Sequence, residues 1–166
     1  MALLKDGAIA EDTWRALTDE DPLAGDEPII VSYDRWQADR DRLSRHNGPL
    51  GVRLKSDQPP QLIEKDLGRF ELIAREFPNM GDGRAYSYAR MLRDRMKFKG
   101  ELRAVGDITK DLLFFLQRCG FTSFDMPKGR DPQDALGALH SFSVAYAPAS
   151  DHQEPAYRLR GQNRKG

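Results

Sequence analysis

Cysteine is almost missing from this chain. Cys119 stands alone among 166 residues, so no intrachain disulfide can staple the fold, and a reducing compartment is the expected setting. Net charge is missing too. Lys and Arg total 26, as do Asp and Glu, which removes the global field that would draw the chain to nucleic acid or to an acidic membrane. No apolar run nears the ~20 residues of a membrane span, and Met1 to Glu11 holds no signal-peptide core. The expected location is cytoplasmic, with no nucleic acid and no membrane as partner. Cofactor signatures are also lacking. Gly81–Asp82–Gly83 has no third glycine of a dinucleotide fingerprint, and there is neither a phosphate-binding loop nor a nucleophile elbow. His46, His140 and His152 show no ligand spacing with one another or with Cys119. No metal and no cofactor are predicted, and Cys119 falls in the apolar register of its helix, a core position.

What is present suits one domain. Residues 1–28, with the acidic run Asp19–Glu20–Asp21 and the turn Gly25–Asp26–Glu27–Pro28, read as a peripheral arm with a short strand and a half-buried Trp14. Residues 148–166 lack apolar periodicity, carry Arg158, Arg160, Arg164 and Lys165, and read as a flexible tail. Between them, residues 29–147 alternate strand and helix about five times. The strands are Ile29–Tyr33, Leu50–Leu54, Phe70–Arg75, Glu101–Val105 and Ser123–Met126.

The helices fill the gaps. Asp34–His46 stops at Asn47–Gly48–Pro49, and Asp57 with Pro59 and Pro60 opens one that ends at Gly68. A helix over Gly83–Phe98 carries Ala85, Tyr88, Ala89, Leu92 and Met96 at helical spacing, with Gly100 as its left-handed stop. Asp107 caps a helix holding Ile108, Leu112, Phe115, Leu116 and Cys119, closed by Gly120. Asp131 and Pro132 open the last, with Leu136, Leu139, Phe142 and Tyr146. Short connections between such units argue for an α/β fold with a mainly parallel sheet. Five units are too few for an eight-stranded barrel. An open doubly wound sheet stands slightly ahead of a partial barrel of the TIM type.

In parallel α/β folds ligands bind beyond the carboxyl ends of the strands. The densest cluster there runs from Glu76 to Ser87. Gly81, Asp82, Gly83, Arg84, Tyr86 and Ser87 could hold an anion on free N–H groups and the Arg84 charge. Asp82 argues the other way, since it would repel an anion. The structural alternative has Asp82 capping the helix and Arg84 pairing with Glu76 or Asp107. If the cluster is catalytic, Glu76 or Asp107 is the general base. Along the same helix Tyr86, Arg90, Arg93 and Lys97 share a face opposite the apolar one. Arg90, Arg93 and Lys97 would make a partner face for an acidic protein, or else a solvated row.

Several blocks resemble the domain-of-unknown-function family 934. They are Leu50–Gly51–Val52–Arg53–Leu54, Glu76–Phe77–Pro78, Asp82 through Ser87, Gly100 through Asp107, and Arg118–Cys119–Gly120–Phe121. The likeness covers roughly residues 28–128 with the blocks in the right order. It implies a role beside assimilatory sulfite reduction in cysteine biosynthesis, where members carry the label of oxidoreductases. Taken with the missing cofactor motifs and the basic helix face, this ranks an accessory protein first, with sulfite reductase or another sulfate-assimilation protein as its partner. An enzyme acting on a small anion near Glu76, Arg84 and Asp107 follows, and an oxidoreductase with its own cofactor comes last.

Overall fold

A computed structural model describes residues 2–23, 25–78 and 83–141. Asn79 to Asp82 and the tail lie outside them, so the readings for Gly81, Asp82, Phe142, Tyr146 and residues 148–166 do too. The described strands are β1 (Ala2–Lys5), β2 (Ala8–Ala10), β3 (Arg15–Ala16), β4 (Ile29–Ser32), β5 (Leu50–Leu54), β6 (Leu72–Phe77), β7 (Glu101–Gly106) and β8 (Ser123–Met126). The α-helices are α1 (Tyr33–Ala38), α2 (Arg40–Ser44), α3 (Arg84–Arg90), α4 (Leu113–Cys119) and α5 (Pro132–Ser141). A 3-10 helix, Pro60–Arg69, links β5 to β6, and a shorter one, Lys110–Leu112, leads into α4.

All eight strands form one sheet in the order β2-β1-β8-β7-β6-β5-β4-β3. Pairing is parallel from β3 to β8 and antiparallel where β1 joins β8 and β2. The fold is α/β with a mainly parallel sheet and five strand–helix units, as the alternation predicts. Of the two arrangements, the strand order selects the partial barrel. From β3 to β8 the strands follow one another without the reversal that defines a doubly wound sheet. Crossovers of one hand then lay the helices on one face.

That face carries the main core. Ile29, Val31, Leu50, Val52, Leu54, Ile73, Phe77, Leu102, Ala104, Phe124 and Met126 pack there with Trp36, Ile63, Ala85, Ala89, Leu92, Leu116 and Cys119 from the crossovers. Alternate residues point to the other face. Among the described residues a small apolar cluster, Ile30, Leu72, Ala74 and Val105, lies there, with Trp14 packed against it.

The first sixteen residues supply three of the strands. Asp6 and Gly7, both with positive φ, make the two-residue turn of the β1–β2 hairpin. β2 ends one edge of the sheet and β3 the other, yet only residues 11–14 join them. Eight strands leave seven gaps, about 34 Å across a flat sheet at ~4.8 Å each. The five steps from Ala10 to Arg15 reach at most about 18 Å. The sheet is therefore curled through roughly half a turn, a half-barrel, and residues 11–14 cross its open side as a strap. The strap touches the helix-free face, through Trp14 on the small cluster and Asp12 on Arg103, so that face is the concave one.

Local details differ from the sequence reading. β6 runs to Phe77, so Glu76 is a strand residue and not part of the following turn. The helix after it is interrupted by a π turn at Met91–Arg95, and its left-handed stop is Lys97 (φ 57), not Gly100. The cap position of the next helical turn is Thr109, not Asp107. The Asp107 N–H bonds the Phe77 carbonyl at 2.8 Å, and that turn begins at Lys110. Gly120 does end α4 in the left-handed region, at φ 116. Cys119 is buried.

Candidate functional site

β6 and β7 are parallel neighbours with Phe77 opposite Gly106, so the turns that follow them share the carboxyl rim. Gly106 permits the join. Its φ is +102, and a Cβ there would lie 2.5 Å from the Phe77 carbonyl oxygen. The predicted residues separate around this rim. Arg84 is exposed and its Nη2 lies 3.4 Å from Ser56 Oγ, in the turn after β5. Gly83 and Ser87 are exposed and joined by the backbone bond at the start of α3. Asp107 is exposed as well. Tyr86 turns the other way, its ring 5.5 Å from Phe77 and 5.0 Å from Phe115. Phe115, read as core, is 47% exposed at the outer end of that aromatic row. Arg75, at the helix-side end of β6, is fully buried, donates to the Gln58 carbonyl at 2.6 Å and lies over the Tyr88 ring.

The expected basic face on α3 does not form. Arg90 is exposed, 3.9 Å from Asp94, and Lys97 is exposed. Arg93 instead points inward. Its Nε donates to the Gly120 carbonyl at 2.9 Å, and its Nη1 to the carbonyls of Phe98 and Gly100 at 2.8 Å each. Burial lowers its pKa. The π turn inserts a residue into the helical count, which rotates position 93 off the outer row. Arg93 is thus a staple across the ends of α3 and α4.

The concave face holds charge that periodicity alone could only place opposite the helices. Inward side chains stand in register rows. Arg53, Ala74, Arg103, Ser123 and Lys5 form one row; toward the carboxyl rim, Glu76 stands opposite Val105 and Asp125 opposite Leu3. Arg103 is 2% exposed. Its Nη2 meets Glu101 Oε1 at 2.9 Å, and its Nη1 meets both Asp12 oxygens at 3.2 and 3.1 Å. Lys5 Nζ reaches the other Glu101 oxygen at 3.1 Å. Burial would push the Glu101 carboxyl up, but hydrogen bonds from Ser123, Arg103 and Lys5 with the Arg103 charge hold it below its ordinary value. Glu76 is ion-paired with Arg53 on this face.

Asp125, within the predicted strand Ser123–Met126, completes the cluster. It is half-buried, and its side chain makes no hydrogen bond or ion pair among the described residues. Burial raises its pKa, Asp12 adds to the rise, and Arg103 and Arg53 oppose it. Glu76 and Asp125 therefore both take inward positions near the carboxyl ends of their strands, β6 and β8, where α/β barrels carry their chemistry.

Against known families, the model described as "Bacterial protein of unknown function (DUF934)" matches residues 51–157, well over half of the chain. The chain belongs to this family. No curated protein matches it. The DUF934 match takes in Glu76, Arg103, Ser123 and Asp125, while Lys5, Asp12 and Trp14 precede it. Among the described residues, no helix is long and apolar enough to cross a membrane.

Proposed function

We propose that this DUF934 protein is a cytoplasmic accessory factor of assimilatory sulfite reduction that docks to the reductase system during cysteine biosynthesis. The pathway comes from the family resemblance. The observation that favours docking is the state of the carboxyl rim. Arg84, Ser87, Asp107 and Phe115 are exposed around the stitched β6 and β7 turns, and an exposed aromatic among charged groups suits a protein partner. The candidate base Glu76 is meanwhile neutralised by Arg53. Two experiments test the reading. A strain deleted for the protein should fail on sulfite and grow on sulfide, and growth on both would remove the pathway assignment. The tagged chain should recover a reductase component at low salt from cells starved of cysteine, and recovery of none would refute docking.

One observation favours the enzyme reading as a second choice: Glu76 and Asp125 face inward at the carboxyl ends of their strands. Here Asp125, its pKa raised by burial, would exchange a proton with a small anionic substrate. Glu76→Gln and Asp125→Asn proteins should then dock like the parent yet fail to restore growth. Full complementation by both would remove that reading.

A further inference from the structure

The strap contributes a carboxylate and a backbone donor to a site whose cations come from the sheet. Asp12 lies in residues 11–14, which pair with no strand. Its carboxylate is held by two donors, Arg103 Nη1 and the Trp14 backbone N–H, the latter at 3.0 Å to Oδ1. Lys5 Nζ stands in the same charge cluster through Glu101. We propose that Arg103 Nη1, the Trp14 N–H and Lys5 form a binding site for a small oxyanion, which Asp12 occupies as an internal surrogate. This rests on the geometry of the concave face and not on the pathway reading, so either can fail alone.

Three features support it. Arg103 is buried on the floor while the Asp12 side chain is 39% exposed, so the guanidinium edge that Asp12 covers opens toward solvent once that side chain rotates away. The contacts also leave room for an anion. Lys5 and Arg103 are two cations that share the single carboxylate of Glu101, and Asp12 is the second carboxylate that touches them. Finally, the two donors converge on carboxylate oxygens, the pattern that sulfate, sulfite, phosphate or a short carboxylate would repeat. Glu101 comes from the same strand as Arg103 and is itself bridged by Lys5, so it stays while Asp12 exchanges.

An intramolecular carboxylate competes at high effective concentration, so the parent protein should bind weakly and the Asp12→Ala protein at least tenfold more tightly. The test is calorimetric titration of both full-length chains with sulfate, sulfite, phosphate and acetate, at constant ionic strength set with chloride. Trp14 emission should shift on binding, whereas Trp36, fully buried on the helix side, should not respond. Arg103→Gln in the Asp12→Ala background should abolish binding. If that protein does not fold, Lys5→Gln in the same background should weaken binding severalfold. Equal affinity in parent and Asp12→Ala proteins, or binding indifferent to both Arg103 and Lys5, would overturn the site. Selectivity among the four anions would identify the ligand class.

Discussion

Replacing Arg93 by alanine separates a structural staple from a partner face. Three carbonyls accept from this side chain at 2.8 to 2.9 Å, and two of them close the turns after α3 and α4. Hydrogen bonds from a charged donor contribute about 1.5–3 kcal/mol each when buried. Arg93 is only half-buried and water can reach the freed carbonyls, so about 1 kcal/mol per bond is the fitting figure. The expected loss is then about 3 kcal/mol, or roughly 6–12 °C in melting temperature for a chain of this size. Arg90→Ala is the control. Its pair with Asp94 spans 3.9 Å on the surface and should leave the melt nearly unchanged.

The mechanism also predicts coupling. A Cβ at Gly120 would lie 2.5 Å from Arg93 Cγ, and its φ of +116 adds strain for any other residue. In the Arg93→Ala background the clash vanishes and only the backbone cost of about 1–2 kcal/mol remains. The double variant should therefore lose less than the sum of the single losses. Urea unfolding of the four proteins checks this. An Arg93→Ala melt within about 2 °C of the parent, or losses that simply add, would refute the staple.

Asp125→Asn should stabilise the fold at neutral pH. The folded pKa of Asp125 is raised from 3.8, so its contribution is complete below that value and is lost as pH rises through the folded pKa. The gain from Asn, read as the urea midpoint, should be present at pH 7 and vanish near pH 3.5; a gain independent of pH would contradict the assignment. Gly106→Ala should cost about 2–4 kcal/mol, from left-handed strain and from the clash with the Phe77 oxygen that accepts the Asp107 N–H. A change under 0.5 kcal/mol in urea unfolding would show that the rim tolerates a side chain there.

Much of this architecture is legible in local pattern. Apolar runs such as Ile29–Val31 and Leu72–Ala74 are buried on both faces and read as parallel strands. Ala85, Ala89 and Leu92 hold the helical period up to the π turn, so the apolar register gives no warning of the turn that brings Arg93 inward. The hairpin at Asp6–Gly7 was readable, because Asp-Gly is a strong two-residue turn signal, but the brevity of Ala8–Ala10 hid it. The concave cluster was not readable as a unit. Arg103 in an alternating strand looks like any outward charge, and its partner Asp12 lies 91 positions away. Nothing short of the curled sheet brings them together.

The antiparallel seam between β1 and β8 sets a timetable for synthesis. Leu3 sits opposite Asp125, and the Gly7 carbonyl meets His140 across 133 positions. At ~5–20 residues per second the β1–β2 hairpin is synthesised about 6–25 s before its neighbour exists. Throughout that interval Leu3 and Leu4, which end up buried, have no native cover. A nascent chain arrested before Ser123 presents them to whatever holdase waits at the tunnel exit, and the earliest-made strand is among the last to dock.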